Sequence, residues 1–123
     1  MKKNKLNRVS LIIDINFDDF VKDVFDDDKF KNLFLASNFF WKYMIYVVPI
    51  SREKVDKDSF SITVYDNTYW SNWNIFFYRS PEDKTIIASP PSLLNLKLFS
   101  YWFYPMLKIL KKRINRNYED HSP

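Results

Sequence analysis

The densest group of ionisable side chains is a run of aspartates near the N-terminus. Seven of the fifteen acidic residues fall within fifteen positions, where Lys22 is the only cation. The seven are Asp14, Asp18, Asp19, Asp23, Asp26, Asp27 and Asp28. Such dense carboxylates can steer a basic partner, but aspartates at a helix N-terminus also favour the helix dipole. The six from Asp18 to Asp28 are therefore candidates for a docking surface, and a solvated helix face stays open as the alternative.

A second candidate is a cluster of aromatic residues: Tyr65, Tyr69, Trp70, Trp73, Phe76 and Tyr78. Tyr69 and Trp70 lie in a predicted turn, where they are either core residues or an exposed binding patch. Trp73 is expected in the core. Stacking of nucleic-acid bases calls for basic residues among the rings, and the stretch from Asp66 to Tyr78 contains none. The sequence therefore favours a protein partner for this patch.

The third candidate is the basic C-terminal segment, with Lys108, Lys111, Lys112, Arg113 and Arg116. Lys108, Lys112 and Arg116 follow helical spacing and share one face. Cations near a helix C-terminus stabilise it through the dipole. The alternatives are binding to nucleic acid or to a membrane surface.

The residues that are missing exclude most enzyme chemistry. The chain has no glycine and no cysteine, and its one histidine is His121. Phosphate-binding loops and nucleophile elbows need glycine, and thiolate sites need cysteine. The aspartates do not have calcium-loop spacing. We therefore expect no enzyme, no catalytic residue, no metal site and no cofactor.

The length of 123 residues predicts a single domain, 1–123, with flexible tails at 1–8 and 117–123. The apolar run from Val9 to Phe17 is short and contains Asp14, so it does not match a secretory signal. No run of 18 apolar residues is present. We expect a cytoplasmic protein that is a monomer or a weak dimer.

The spacing of apolar residues along the chain predicts the strands and helices that position these candidate residues. Val9 to Phe17 alternates as a strand, and Asn16 is placed to cap a helix. The helix is either bent or followed by a second one, which Asp28 would cap. Four further strands are predicted at 41–50, 60–65, 73–79 and 84–88. Residues 51–58 are predicted as a loop because they are charged.

The C-terminal helix is expected to be kinked or split by Pro105. Leu98, Trp102 and Ile109 should pack it onto the sheet. Residues 80–83, with Pro81 second, match a type I turn. The order β-α-β-β-β-β-α predicts an α+β fold: a mostly antiparallel four- to five-stranded sheet with N-terminal and C-terminal helices packed on one face.

In size, composition and the charged block from Asp18 to Asp28, the chain resembles the small immunity proteins of bacterial toxin–immunity pairs, including those of contact-dependent growth inhibition. This resemblance implies a protein that neutralises one cognate toxin, for example a basic nuclease domain, by direct binding. The alternative is a nucleic-acid-binding or phage-encoded regulatory protein that uses the basic C-terminal helix. The sequence favours a protein partner over nucleic acid or a membrane surface.

Overall fold

The computed structural model describes residues 8–34, 47–67, 70–90 and 96–119, and in the last helix the side chains of residues 103–118. The strands are β1 (Ser10–Asn16), β2 (Val47–Asp56), β3 (Ser59–Asp66), β4 (Ser71–Arg79) and β5 (Lys84–Ala88). The helices are α1 (Phe17–Val24), α2 (Asp27–Phe30) and α3 (Leu96–Glu119). The chain order confirms the predicted α+β fold.

The five strands form one sheet in the order β1-β5-β4-β3-β2, and every neighbouring pair is antiparallel. Side chains alternate across a sheet, so each strand presents one face to the core. On β3 this face carries Phe60, Ile62 and Val64, which are all buried. Phe60 stacks on Phe77 of β4 with ring centroids 4.9 Å apart.

The helices pack on that inner face of the sheet. Phe20 of α1 is fully buried and contacts the rings of both Phe60 and Phe77. From α3 the buried aliphatic residues are Leu107, Leu110 and Ile114, with Met106. Ile109 is only half-buried, because the buried side of the helix is centred on the 107, 110 and 114 positions. Leu98 and Trp102 lie outside the described side chains.

The N-terminal elements confirm one predicted cap and correct another. Asn16 Oδ1 accepts a hydrogen bond from the Asp19 N–H at 3.1 Å and caps α1, and a separate helix α2 follows. The cap of α2 is Asp26 and not Asp28. Asp26 Oδ1 accepts from the backbone N–H groups of Asp28 and Lys29, which lie at the helix positions that a capping side chain reaches.

The prediction of a loop at residues 51–58 is wrong, because β2 continues to Asp56 and pairs with β3. The guanidinium of Arg52 lies 4.6 Å from the ring centroid of Phe30, and Lys54 Nζ lies 5.3 Å from that of Phe25. Charged side chains with long apolar stems thus cover aromatic rings. A strand of this kind has no simple alternation of apolar and polar residues.

The turn between β4 and β5 and the course of α3 are closer to the sequence predictions. The Asp83 N–H donates to the Ser80 carbonyl at 3.0 Å, as in a tight turn between β4 and β5. Pro105 lies inside α3, which runs on without a break. The helix also extends into the predicted C-terminal tail, where the Asn117 side chain donates to the Leu33 carbonyl at 2.7 Å.

Candidate functional site

The six aspartates from Asp18 to Asp28 lie on α1, on α2 and at the cap of α2, and are here named the acidic surface. Five are exposed and Asp23 is half-buried. The opposite side of α1 carries the buried Phe17, Phe20 and Val24. The amphipathic pattern of the helix therefore turns the carboxylates outward and keeps them together.

Three of these carboxylates have cationic partners within the chain. Asp18 pairs with Arg79, Asp23 with Lys29 at 3.1 Å, and Asp27 with Arg52. Next to the acidic surface, Asp14 pairs with Lys84 at 2.9 Å. These pairs reduce the excess negative charge that the sequence indicated. They also fix the positions of the carboxylates that they hold.

Arg79 is the most connected of these cations. Its Nη2 lies 2.7 Å from Asp18 Oδ1, its Nε 2.8 Å from Asp58 Oδ1, and its Nη1 3.3 Å from Asp83 Oδ1. The guanidinium also lies 4.8 Å from the ring centroid of Phe17. A hydrogen bond from Arg79 lowers the pKa of Asp18 below its usual value.

Asp23 has a second partner in α3. The Tyr118 hydroxyl donates a hydrogen bond to Asp23 Oδ2. Burial, and then this hydrogen bond to a carboxylate, raise the pKa of Tyr118 above its usual value. The hydrogen bond that Lys29 donates to Asp23 likewise raises the pKa of Lys29. Asp23 thus connects α1 both to α2 and to the end of α3.

The other three members of the acidic surface differ, because Asp19, Asp26 and Asp28 make no ion pair with any described residue. All three are exposed. Asp26 is held by its role as the cap of α2, and the backbone of Asp19 is held by the Asn16 cap. Their negative charge therefore faces solvent.

Trp70 is far from the acidic surface. It lies in the turn between β3 and β4, whereas Asp18 reaches Arg79 at the other end of β4. The nine residues of β4 span about 30 Å, at about 3.3 Å per residue. The structure thus does not bring Trp70 and the acidic residues into one face. Tyr69 lies outside the described residues.

Trp70 is 83% exposed and its backbone has φ of 54°. This is the left-handed region, which is unusual for a bulky side chain. Trp73, predicted as core, is half-buried and packs its ring edge to face against Phe103 of α3, with centroids 5.2 Å apart. Its indole N–H donates to Asp66 Oδ2 at 3.2 Å.

Two charged residues are buried at this end of the core, and the sequence pattern does not predict them. Asp66 is fully buried and Arg113 is 5% exposed. Burial lowers the pKa of Arg113, and the negative charge of Asp66 acts in the opposite direction. The sequence predicts Arg113 as one of the cations of the basic C-terminal segment, whereas the structure buries it. Only its position between the buried Leu110 and Ile114 could have suggested otherwise.

The other cations of the predicted basic face are on the surface. Lys108, Lys112 and Arg116 are exposed, and they make no ion pair with any described residue. Lys108 Nζ lies 5.5 Å from the ring centroid of Tyr104. These three residues, here named the basic stripe, remain available to a negatively charged partner.

The described residues contain no group of three or more His, Cys, Asp or Glu side chains that could hold a metal ion. Among the described helices, none is both long and apolar enough to cross a membrane. Comparison with protein-family models, curated proteins and solved structures finds no match for this chain. The chemistry of its surfaces is therefore what indicates a function.

Proposed function

We propose that this chain is a protein-binding inhibitor of the immunity-protein type, which neutralises a cognate toxin by covering a basic surface of it. The observation that carries the proposal is the set of three exposed carboxylates, Asp19, Asp26 and Asp28, without an ion-pair partner among the described residues. Such charge accelerates association with an oppositely charged protein and selects against acidic ones.

The neighbouring ion pairs support the same function. Asp18, Asp23 and Asp27 are tied to Arg79, Lys29 and Arg52, which belong to different parts of the fold. Helices α1 and α2 are thereby fixed before a partner arrives. A surface ordered in advance loses less conformational entropy on binding, and so binds more tightly for the same contacts.

The test is capture of a partner from cells that encode the chain, followed by reconstitution. We expect immobilised wild-type protein to retain a basic protein that arrests growth when it is expressed alone, and co-expression of the chain should restore growth. Replacement of two exposed carboxylates, in Asp19→Asn/Asp28→Asn, should slow association at low salt. Neither residue pairs with a described cation, so the fold should be retained.

Glu53→Gln is the control. Glu53 is exposed on β2 and lies next to Ser61, on the sheet face opposite the helices. Its loss removes a negative charge away from the acidic surface, so the association rate should change little. Capture of a toxic protein whose association rate is unaffected by Asp19→Asn/Asp28→Asn would contradict a role for the acidic surface. Failure of co-expression to restore growth would contradict inhibition itself.

A further inference from the structure

The basic stripe is a row of cations on the exposed side of α3. Lys108, Lys112 and Arg116 are four residues apart, which places successive positions about 6 Å apart along a helix. Tyr104 continues the same spacing toward the N-terminal end of the helix and is 41% exposed. The exposed face thus begins with an aromatic ring and continues as three positive charges.

Trp70 adds a second exposed ring. At 83% exposure its indole contributes little burial to the fold, and its left-handed backbone is unfavourable for a bulky residue that cannot hydrogen-bond to the nearby backbone. Asparagine or aspartate would suit this turn position better. Fold stability therefore does not account for tryptophan here, and an intermolecular contact made by the indole would.

The start of β4, just after this turn, contacts α3 one residue before the aromatic end of the basic stripe. Trp73, three residues after Trp70, packs against Phe103, which precedes Tyr104 in α3. The turn also exposes the hydroxyl of Ser71 and the side-chain amide of Asn72. Cations absent from the sequence around Trp70 are thus supplied by a helix more than thirty residues later.

We propose that the β3–β4 turn and the basic stripe together bind single-stranded nucleic acid. Lys108, Lys112 and Arg116 contact consecutive backbone phosphates. Trp70 offers a ring face on which an unpaired base stacks, and Tyr104 offers the ring face opposite the Lys108 ammonium. Binding of single strands without strong sequence preference uses this combination of a positively charged track and exposed aromatic side chains.

The same surface is a poor match for a membrane. A helix that binds at a lipid interface inserts a broad apolar face. In the described part of α3, Leu107, Leu110 and Ile114 are instead buried in the core. Tyr104 is the large hydrophobic side chain that this part of the helix exposes. The exposed cations and aromatic rings instead match a flexible polyanion with flat bases.

The test is fluorescence anisotropy of a labelled oligothymidylate of about 20 nucleotides with the full chain, over a series of salt concentrations. Three phosphate contacts should give a slope of log affinity against log salt near −2, at about −0.7 per phosphate on a single strand. Lys112→Gln should make the slope shallower by about one contact. Trp70→Ala should weaken binding about fivefold or more without changing the slope.

Lys22→Gln is the matched control, because Lys22 is an exposed cation on α1. Binding that falls as much in Lys22→Gln as in Lys112→Gln would overturn the proposal, since net charge alone would then be responsible. Absence of oligonucleotide binding at low salt would also overturn it. A third result would overturn it as well: the chain floats with vesicles that contain about 30% phosphatidylserine, and the oligonucleotide does not displace it from them.

The acidic surface provides a separate check. Asp19→Asn/Asp28→Asn should bind the oligonucleotide at least as well as wild type, because it removes only negative charge. The two proposals can therefore fail separately. The chain could inhibit a toxin without binding the oligonucleotide, or bind the oligonucleotide without inhibiting a toxin. Unfolding curves for each variant establish that the compared proteins are folded.

Discussion

Arg79 and Asp18 form a two-point ion pair between the end of β4 and the first turn of α1. The two contacts are Nη2 to Oδ1 at 2.7 Å and Nη1 to Oδ2 at 3.2 Å. The same guanidinium reaches Asp58, between β2 and β3, and Asp83, between β4 and β5. Arg79 therefore ties the helix that carries the acidic surface to two hairpins at once.

The first prediction concerns acid stability. The pKa of Asp18 in the folded protein is below its unfolded value of 3.8 because Arg79 donates hydrogen bonds to it. A lowered folded pKa gives stability that is present above the unfolded pKa and is lost as the pH falls through the folded pKa. Asp18→Asn removes this contribution. The melting temperature should therefore fall less between about pH 6 and about pH 3 in Asp18→Asn than in wild type.

Asp19→Asn is the control for this measurement. Asp19 is the neighbouring residue on α1 and makes no ion pair with any described side chain. Its variant should follow the acid profile of the wild type. Identical profiles for Asp18→Asn and Asp19→Asn would show that the Arg79 contact does not contribute to stability.

The second prediction concerns the aromatic core. Phe77 is fully buried and contacts the rings of Phe60 and Phe20, with centroids 4.9 Å and 5.3 Å away. Phe77→Ala should lower the free energy of unfolding by about 3–5 kcal/mol, because it removes apolar burial and leaves a cavity. Ile12→Ala, at a site that is 54% exposed, should change it by less than about 0.5 kcal/mol. Urea denaturation measures both.

Local features of this fold could be predicted from the sequence. The Asn16 cap, the Phe stripe of α1 and the alternation of β3 each depend on neighbours within a few residues. The extent of β2 could not be predicted, because Arg52 is placed by Phe25 and Phe30, about twenty-five residues earlier. The burial of Asp66 and Arg113 is also beyond local patterns, since these two charges affect one another from β3 and α3.

The acidic surface shows the same limit. Its helix face was predicted, but its ion pairs to Arg52 and Arg79 join residues 25 and 61 positions apart. From crowding alone, one expects that removing the charges of Asp23 and Asp27 leaves stability unchanged or raises it. The structure changes this expectation, because Asp23 holds both Lys29 and Tyr118.

The third prediction follows from that contact. Tyr118→Phe removes the hydroxyl that donates to Asp23 and keeps the ring that packs against Phe20. A hydrogen bond to a charged group contributes about 1.5–3 kcal/mol, so the free energy of unfolding should fall by about that amount. Asp23→Asn should also be destabilising. In a protein that already carries Asp23→Asn, Tyr118→Phe should lower the free energy of unfolding by less than it does in wild type. An equal loss in both backgrounds would contradict an interaction between Tyr118 and Asp23.

The last prediction concerns Trp70, whose backbone φ of 54° is one of two positive values among the described residues. The other belongs to Asp83, and aspartate and asparagine tolerate this conformation better than a bulky residue. Trp70→Asn should therefore raise the free energy of unfolding by about 0.5–1 kcal/mol, a gain of a few degrees in melting temperature. Trp70→Ala removes the same indole but lacks the short polar side chain that can hydrogen-bond to the nearby backbone in this conformation, so it should give no such gain. A loss of stability in both variants would show that the indole stabilises the fold. The tryptophan at this position would then be explained without a contact to a binding partner.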